Sequence, residues 1–189
     1  DSKEYGGTFD GQNHTLTLNW NATTNDIAPF RFLRGATIKN LRTEGTIKSS
    51  SYFLGGLISE AYGKNSVSNC ISNVNITSTY NGSGCVIAGM ILEIPYGAFV
   101  TFTDCIVKGK FNATTSAGQS GMSGFVHTRK GSCTLNNCLY FGENNATAGN
   151  TFAPSGTTLN NCYFTRTCGT TQGMMTVDLQ LESGYLTYL

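Results

Sequence analysis

The sequence predicts an all-β chain wound as a parallel β-helix, a solenoid of about five coils closed by a C-terminal cap. Three observations carry this. A phrase recurs as "SVSNCISNVNI", "TFTDCIVKGKF", "TLNNCLYF" and "TLNNCYF", each time with a cysteine after Asn or Asp in an alternating polar and apolar run. Gly63, Gly97 and Gly131 recur at one constant interval, and Gly156 follows after a shorter one. A second thread, Gly56, Gly89 and Gly124 in "LGGLIS", "IAGMIL" and "MSGFVH", runs in phase with the first at nearly the same period. Self-similarity at a fixed period marks units that each bury an apolar face on the next.

Composition supports the same class. The chain has 189 residues, enough for one sizeable core, and reads as a single domain over 1–189. Charged residues make up only 12%, while Gly, Asn, Thr and Ser fill 83 positions, interleaved evenly with Val, Ile, Leu and Phe. Such a chain is too polar for helices and too regularly apolar for disorder. A formal charge of +1 with no run of Lys or Arg argues against a nucleic-acid or anionic-membrane partner. No apolar stretch is long enough to span a bilayer, and "DSKEYGG" is no leader, so a soluble piece processed or cut from a larger multidomain protein is expected. There is no C-x-x-C, and His14 and His127 stand alone, so neither metal nor cofactor is expected.

Taken in order, the units are about 36–65, 66–99, 100–132, 133–156 and 157–172, with the cap over 173–189. Each holds three short alternating runs, such as "TIKNL", "EGTIK" and "GGLISEA", punctuated by Gly, Ser, Asn and Tyr-Gly, with no helical period in competition. Stacking coils ~4.8 Å apart aligns Leu41, Cys70, Cys105, Cys138 and Cys162 as an internal ladder, the cysteines acting as small hydrophobes. Asn40, Asn69, Asp104, Asn137 and Asn161 stack beside them, bridging coil to coil. Of the seven cysteines, Cys85, Cys133 and Cys168 fall outside this column, and the spacing leaves a disulfide among them open. The tail "TVDLQLESGYLTYL" drops the Asn and Gly rhythm and reads as a cap over the last coil, or as a connection to a further domain.

These phrases resemble a known family. "GGTFDGQNHTLTL" at 6–18, the "LGGLIS", "IAGMIL" and "SGFVH" cores and the "NC" and "NNCYF" phrases are similar to the GLUG-type repeats of bacterial surface proteins, over roughly residues 6–165. The chain departs from the pattern in having "AGM" and "SGF" for G-G-L and in lacking the strands that usually precede G-T-F-D-G. The resemblance implies a right-handed β-helix in a secreted or surface-attached bacterial protein, adhesin-like or peptidase-linked, with no shared catalytic motif to carry over.

Candidate binding chemistry sits at one edge. Alignment on Gly63, Gly97 and Gly131 puts Tyr62 and Tyr96 in one position, with Glu60, Glu93, His127, Arg129 and Lys130 close by. Two rings flanked by carboxylates and a guanidinium suit a sugar, whereas the plainer reading has Tyr-Gly simply making a turn. Tyr62, Tyr96, Glu60, Glu93 and Arg129 are therefore the candidate glycan-binding residues. Glu60 with Glu93 is the one carboxylate pair that a polysaccharide lyase or glycoside hydrolase could use. Their offsets from the marker glycine differ by one residue, which predicts opposite faces and argues against catalysis. Asp10 and His14 in "FDGQNH" read as turn residues, and no hydrolase, metalloprotease or nucleotide motif is present. "TLT" and "TFT" do not recur in every coil as an ice-binding array would require, and the six N-x-[ST] phrases are what an Asn- and Thr-rich chain produces by chance. The expected function is a noncatalytic extracellular module for adhesion or glycan contact, its partner a glycan or a cell-surface protein. A carbohydrate-active enzyme and a structural spacer are the alternatives.

Overall fold

Runs of β-branched and aromatic residues, cut every few positions by Asn, Gly or Ser, leave strands as the regular structure open to most of this chain. The computed structural model describes residues 3–127 and 130–175, and its strands pair in parallel from winding to winding. Four sheets run along the stack. The first comprises Thr8–Asp10, Thr37–Lys39, Lys64–Ser68, Phe99–Thr103, Ser132–Asn136 and Thr158–Asn160. The second opens with the long strands Thr15–Ala22, Arg42–Ser49 and Ile71–Ser78 and continues in shorter pieces to Met174–Met175. The third holds Phe53–Gly55, Val86–Ala88, Met122–Ser123 and Gly149–Asn150, and the fourth Phe30–Arg34, Ile58–Tyr62 and Ile91–Glu93. No helix of the described residues is long and apolar enough to cross a membrane.

The expectation of three strands per coil is thus corrected to four, because the chain folds sharply between Phe53–Gly55 and Ile58–Tyr62. The second glycine thread makes that corner. A side chain at Gly56 would collide with the Ser72 hydroxyl, one at Gly89 would stand 2.5 Å from Val107, and one at Gly124 would stand 2.7 Å from the Tyr140 ring. Ser72, Val107 and Tyr140 are themselves in register. The wall facing the corner grows from Ser to Val to Tyr along the stack, and the carbonyl of the next winding stands closer still at each of the three positions, so glycine is what fits there.

Register also shows that the windings differ in length. Thr8 pairs with Thr37, Thr37 with Ser66, Ser66 with Thr101, Thr101 with Thr134 and Thr134 with Thr158. The first two windings are therefore equal and short, the next two longer, and the last the shortest. The solenoid thus has about five turns, and "TFDGQNHTLTL" opens the first winding, which runs from Thr8 to its register mate Thr37. Inward residues align along it: Phe9, Ile38, Val67, Phe102 and Leu135 form one column of the core, of which Phe9, on the first winding, is 38% exposed.

The expected ladders are present. Leu41, Cys70, Cys105, Cys138 and Cys162 are all buried, and each gives its carbonyl to the amide one residue past the same position of the next winding, or to Met174 for the last. Asn40, Asn69, Asp104, Asn137 and Asn161 all turn the chain with φ between 51° and 55°, a left-handed conformation that Asn and Asp adopt more readily than other side-chain-bearing residues. The thiol that follows lies within reach of the carbonyl just before that turn: Cys70 to Ser68 at 3.2 Å, Cys105 to Thr103 at 3.3 Å, Cys138 to Asn136 at 3.4 Å. The cysteines are therefore weak donors at the corner as well as small hydrophobes. All seven cysteines are free, so no disulfide joins Cys85, Cys133 and Cys168. Burial pushes the Cys70 and Cys168 thiols up to about 12 and the Cys133 thiol to about 11, whereas a bond from Cys138 holds the Cys162 thiol below its ordinary value.

Two features were not foreseen. A one-turn helix, Ser116–Ser120, interrupts the third sheet's approach, its first turn capped by the Thr115 hydroxyl accepting from the Gly118 amide at 3.2 Å. Met174–Met175 adds a further strand against Tyr163–Phe164, while residues 176–189, most of the expected cap, lie outside the described residues.

Candidate functional site

Glu60 and Glu93 lie directly opposite each other on neighbouring parallel strands, in register through Ile58 with Ile91 and Glu60 with Glu93. The one-residue slip expected from the marker glycine is therefore corrected. The corner after the strand absorbs the difference, since Glu93 stands two places further from Thr101 than Glu60 does from its register mate Ser66. Measured from the other glycine thread, both glutamates come at the same offset after Gly56 or Gly89, and that signal was present in the sequence.

The same insertion separates the tyrosines. Counting on from Glu60 and Glu93, Tyr62 meets Pro95, and Tyr96 falls one place beyond it. Tyr62 pairs instead with Arg34, whose guanidinium lies 5.1 Å over its ring and is held from the other side by the Glu4 carboxylate. Its hydroxyl donates to Glu60 Oε2, and that bond, ahead of burial, pushes the phenol up to about 12. Tyr96 projects from its turn, 85% exposed. The two-ring strip is thus not formed, because one ring is covered by Arg34 and the other stands apart. Arg129 lies outside the described residues.

Behind the glutamates is a cleft of about 10 Å³ lined by Asp26, Phe53, Ser59, Glu60, Leu92, Glu93 and His127. A space of that size holds a single water. Among the described residues no group of His, Cys, Asp and Glu is placed to hold a metal ion.

A larger groove, of about 240 Å³, opens where the second sheet breaks into short strands. Lys110 and Glu143 face each other in register, Lys110 Nζ lies 3.2 Å from Glu143 Oε2, and Arg166 Nη1 from the next winding approaches Glu143 Oε1 at 3.8 Å. Phe111, Asn112, Asn144, Asn145 and Thr167 complete the lining. Asn145 is fixed by two bonds to the backbone of Ala113, accepting from its amide at 3.0 Å and donating to its carbonyl at 2.9 Å. The Asn144 amide donates to the Tyr140 hydroxyl at 3.0 Å and to the Thr167 carbonyl at 2.9 Å. The groove is therefore an array of charged and amide groups contributed by three successive windings, in which Asn144 and Asn145 are fixed by their bonds while Lys110, Glu143 and Arg166 stand more than half exposed. The sequence reading missed it, although "KFNAT" at 110–114 returns as "ENNAT" at 143–147, because opposite charges on separate coils carry no local motif.

The turn reading of "FDGQNH" agrees with the geometry. Asp10 Oδ1 accepts from the Gln12 amide at 2.9 Å and from Asn40 Nδ2 at 3.0 Å, bonds that hold its carboxyl below the usual range, the Asn40 bond foremost. No family model matches the chain, and neither a curated protein nor a solved structure does.

Proposed function

We propose that the chain is a noncatalytic extracellular β-helix module of the GLUG-type, bacterial surface-protein kind, and that it binds glycan in the groove between Lys110 and Arg166. The observation that carries this is the groove itself: amides of Asn144 and Asn145 held by bonds to neighbouring windings, beside the ion-paired Lys110, Glu143 and Arg166, over a space large enough to seat part of a sugar. Donors and acceptors fixed in this way suit vicinal hydroxyls, which need orientation more than charge. A stiff solenoid keeps them in position without an ordering cost on binding.

A carbohydrate-active enzyme acting through Glu60 and Glu93 is the competing reading, favoured by their register. Paired strands put their backbones ~4.8 Å apart, close to the ~5–5.5 Å carboxyl separation of a retaining glycosidase. The cleft beside them opposes that reading, since about 10 Å³ admits a water and excludes a sugar ring. A glycan array separates the two. The proposal expects binding without product formation, weakened by about tenfold or more in Arg166→Ala, in line with the loss of a charge-assisted contact. Chain cleavage that Glu93→Gln abolishes would establish the enzyme instead.

A further inference from the structure

The small cleft has a chemistry of its own, independent of the groove. Its two glutamates stack in register at strand spacing, where like charges repel. Asp26 adds a third carboxylate, and the described cation nearest to it is Arg31, 3.5 Å away, whose guanidinium lies 5.0 Å over the Phe32 ring. The floor carries a second, unrelated oddity. Ser59 is 1% exposed, yet its hydroxyl has no hydrogen-bond partner among the described residues. Ser59 stands in one column with Leu92 and His127, one residue on from the register of Ile58, Ile91 and Val126, and all three line the cleft. A buried hydroxyl without a partner costs free energy unless something fills the space beside it.

We propose that this cleft binds a primary alkylammonium group, its nitrogen among Ser59, Glu60 and Glu93 and its carbon stem along Phe53 and Leu92. An ammonium is water-sized and carries three donors and no acceptor, which matches a hole of about 10 Å³ where the Ser59 hydroxyl and the Glu60 and Glu93 carboxylates can accept, beside Phe53, Leu92 and His127, with one Glu60 oxygen already taking the Tyr62 hydroxyl. A guanidinium is too wide and a quaternary ammonium has nothing to donate. Phe53, partly exposed, packs on a small buried cluster of Val86, Ala88 and Leu92, and its ring is the apolar face for methylenes beside the charged end. Bound nitrogen would donate to the serine oxygen and separate the two carboxylates with one positive charge.

The test uses n-butylammonium as the probe, with guanidinium and tetramethylammonium as mismatched cations, followed through backbone amide shifts in nuclear magnetic resonance. Saturable shifts at Ser59, Glu60 and Glu93 with n-butylammonium alone are expected. Glu93→Gln is expected to weaken them about tenfold, the loss of one charge-assisted bond. Ser59→Ala is expected to weaken binding while leaving thermal stability unchanged or higher, since it removes an unsatisfied hydroxyl. Glucosamine and Nα-acetyl-lysine methylamide then distinguish an amino sugar from a lysine side chain as the source. Equal responses to all three cations would reduce the site to unspecific attraction and overturn the proposal. So would the absence of saturable shifts up to about 50 mM, or a loss of stability in Ser59→Ala. Arg166→Ala leaves this cleft intact, so failure of the glycan reading and failure of this one are read separately.

Discussion

At the residue scale, the turn ladder has a direction. Asn40 donates to Asp10, Asn69 to Asn40, Asn137 to Asp104 and Asn161 to Asn137, each amide reaching back one winding at 3.0–3.2 Å. Asp104 interrupts the series, because a carboxylate accepts from Asn137 and has no hydrogen to give Asn69, and no bond joins that pair among the described residues. Asp104→Asn should complete the ladder and raise stability by ~0.5–1 kcal/mol, the net worth of one exposed amide bond, read as a higher urea midpoint. An unchanged or lower midpoint would mean the ladder contributes nothing. Tyr62 gives a pH signature. Its phenol titrates at about 12 in the folded chain, against an ordinary ~10. The stabilisation from its bond to Glu60 is therefore complete below pH ~10 and is lost as pH rises through about 12. Urea unfolding should show the wild type more stable than Tyr62→Phe at neutral pH, with the gap closing toward that value. A gap independent of pH would place the effect in packing. The ladder was legible from sequence because the Asn-Cys phrase repeats almost verbatim. The thiol's contact with the carbonyl two residues earlier was not, since Leu41 fills the same column without a donor.

At the element scale, the corner glycines decide how many sheets the solenoid has. Gly124 and Gly97 offer a direct contrast. At Gly124 an added methyl meets the Tyr140 ring and the Thr151 carbonyl, while at Gly97 nothing lies within 4 Å and the obstacle is only a φ of +76°. Gly124→Ala should cost ~2–4 kcal/mol through overpacking, and Gly97→Ala ~1–2 kcal/mol through left-handed strain, both measured by thermal or denaturant unfolding. Equal costs would show that the corner can relax and that the glycine thread does not define it. Here the sequence was only partly legible. Periodicity revealed both glycine threads, and choosing the turn glycines as the reference misplaced Glu93 and Tyr96, because turn length varies between windings while strand register does not. "GGLISEA" was read as one run because a fold at a glycine corner leaves apolar residues on both sides. The helix Ser116–Ser120 is a single turn, too short to show a period.

At the scale of the whole molecule, the winding was legible and its first turn was not. The longer period set by Gly63, Gly97 and Gly131 hid the first winding, Thr8 to Thr37, while the second, Thr37 to Ser66, falls on the expected unit 36–65; both are shorter than that period because their loops are shorter. Ser78–Val86 is a longer connection than its counterpart Ser49–Phe53, yet the strands on either side keep their register. Loop length is therefore free to change, while the groove and the small cleft lie where spacing is constant: Ile106 to Lys110 matches Leu139 to Glu143, and Gly55 to Ile58 matches Ala88 to Ile91. Neither could be read from one coil, because each is assembled from side chains about a winding apart.

Vertical registry underlies each of these surfaces, and sulfur positions test it most directly. Anomalous diffraction from crystals of the protein should place the sulfurs of Cys70, Cys105, Cys138 and Cys162 in a single line, spaced by one strand separation of ~4.8 Å, with Cys85, Cys133 and Cys168 off it. Sulfurs dispersed through the molecule, or paired as disulfides, would contradict the stack and every surface derived from it.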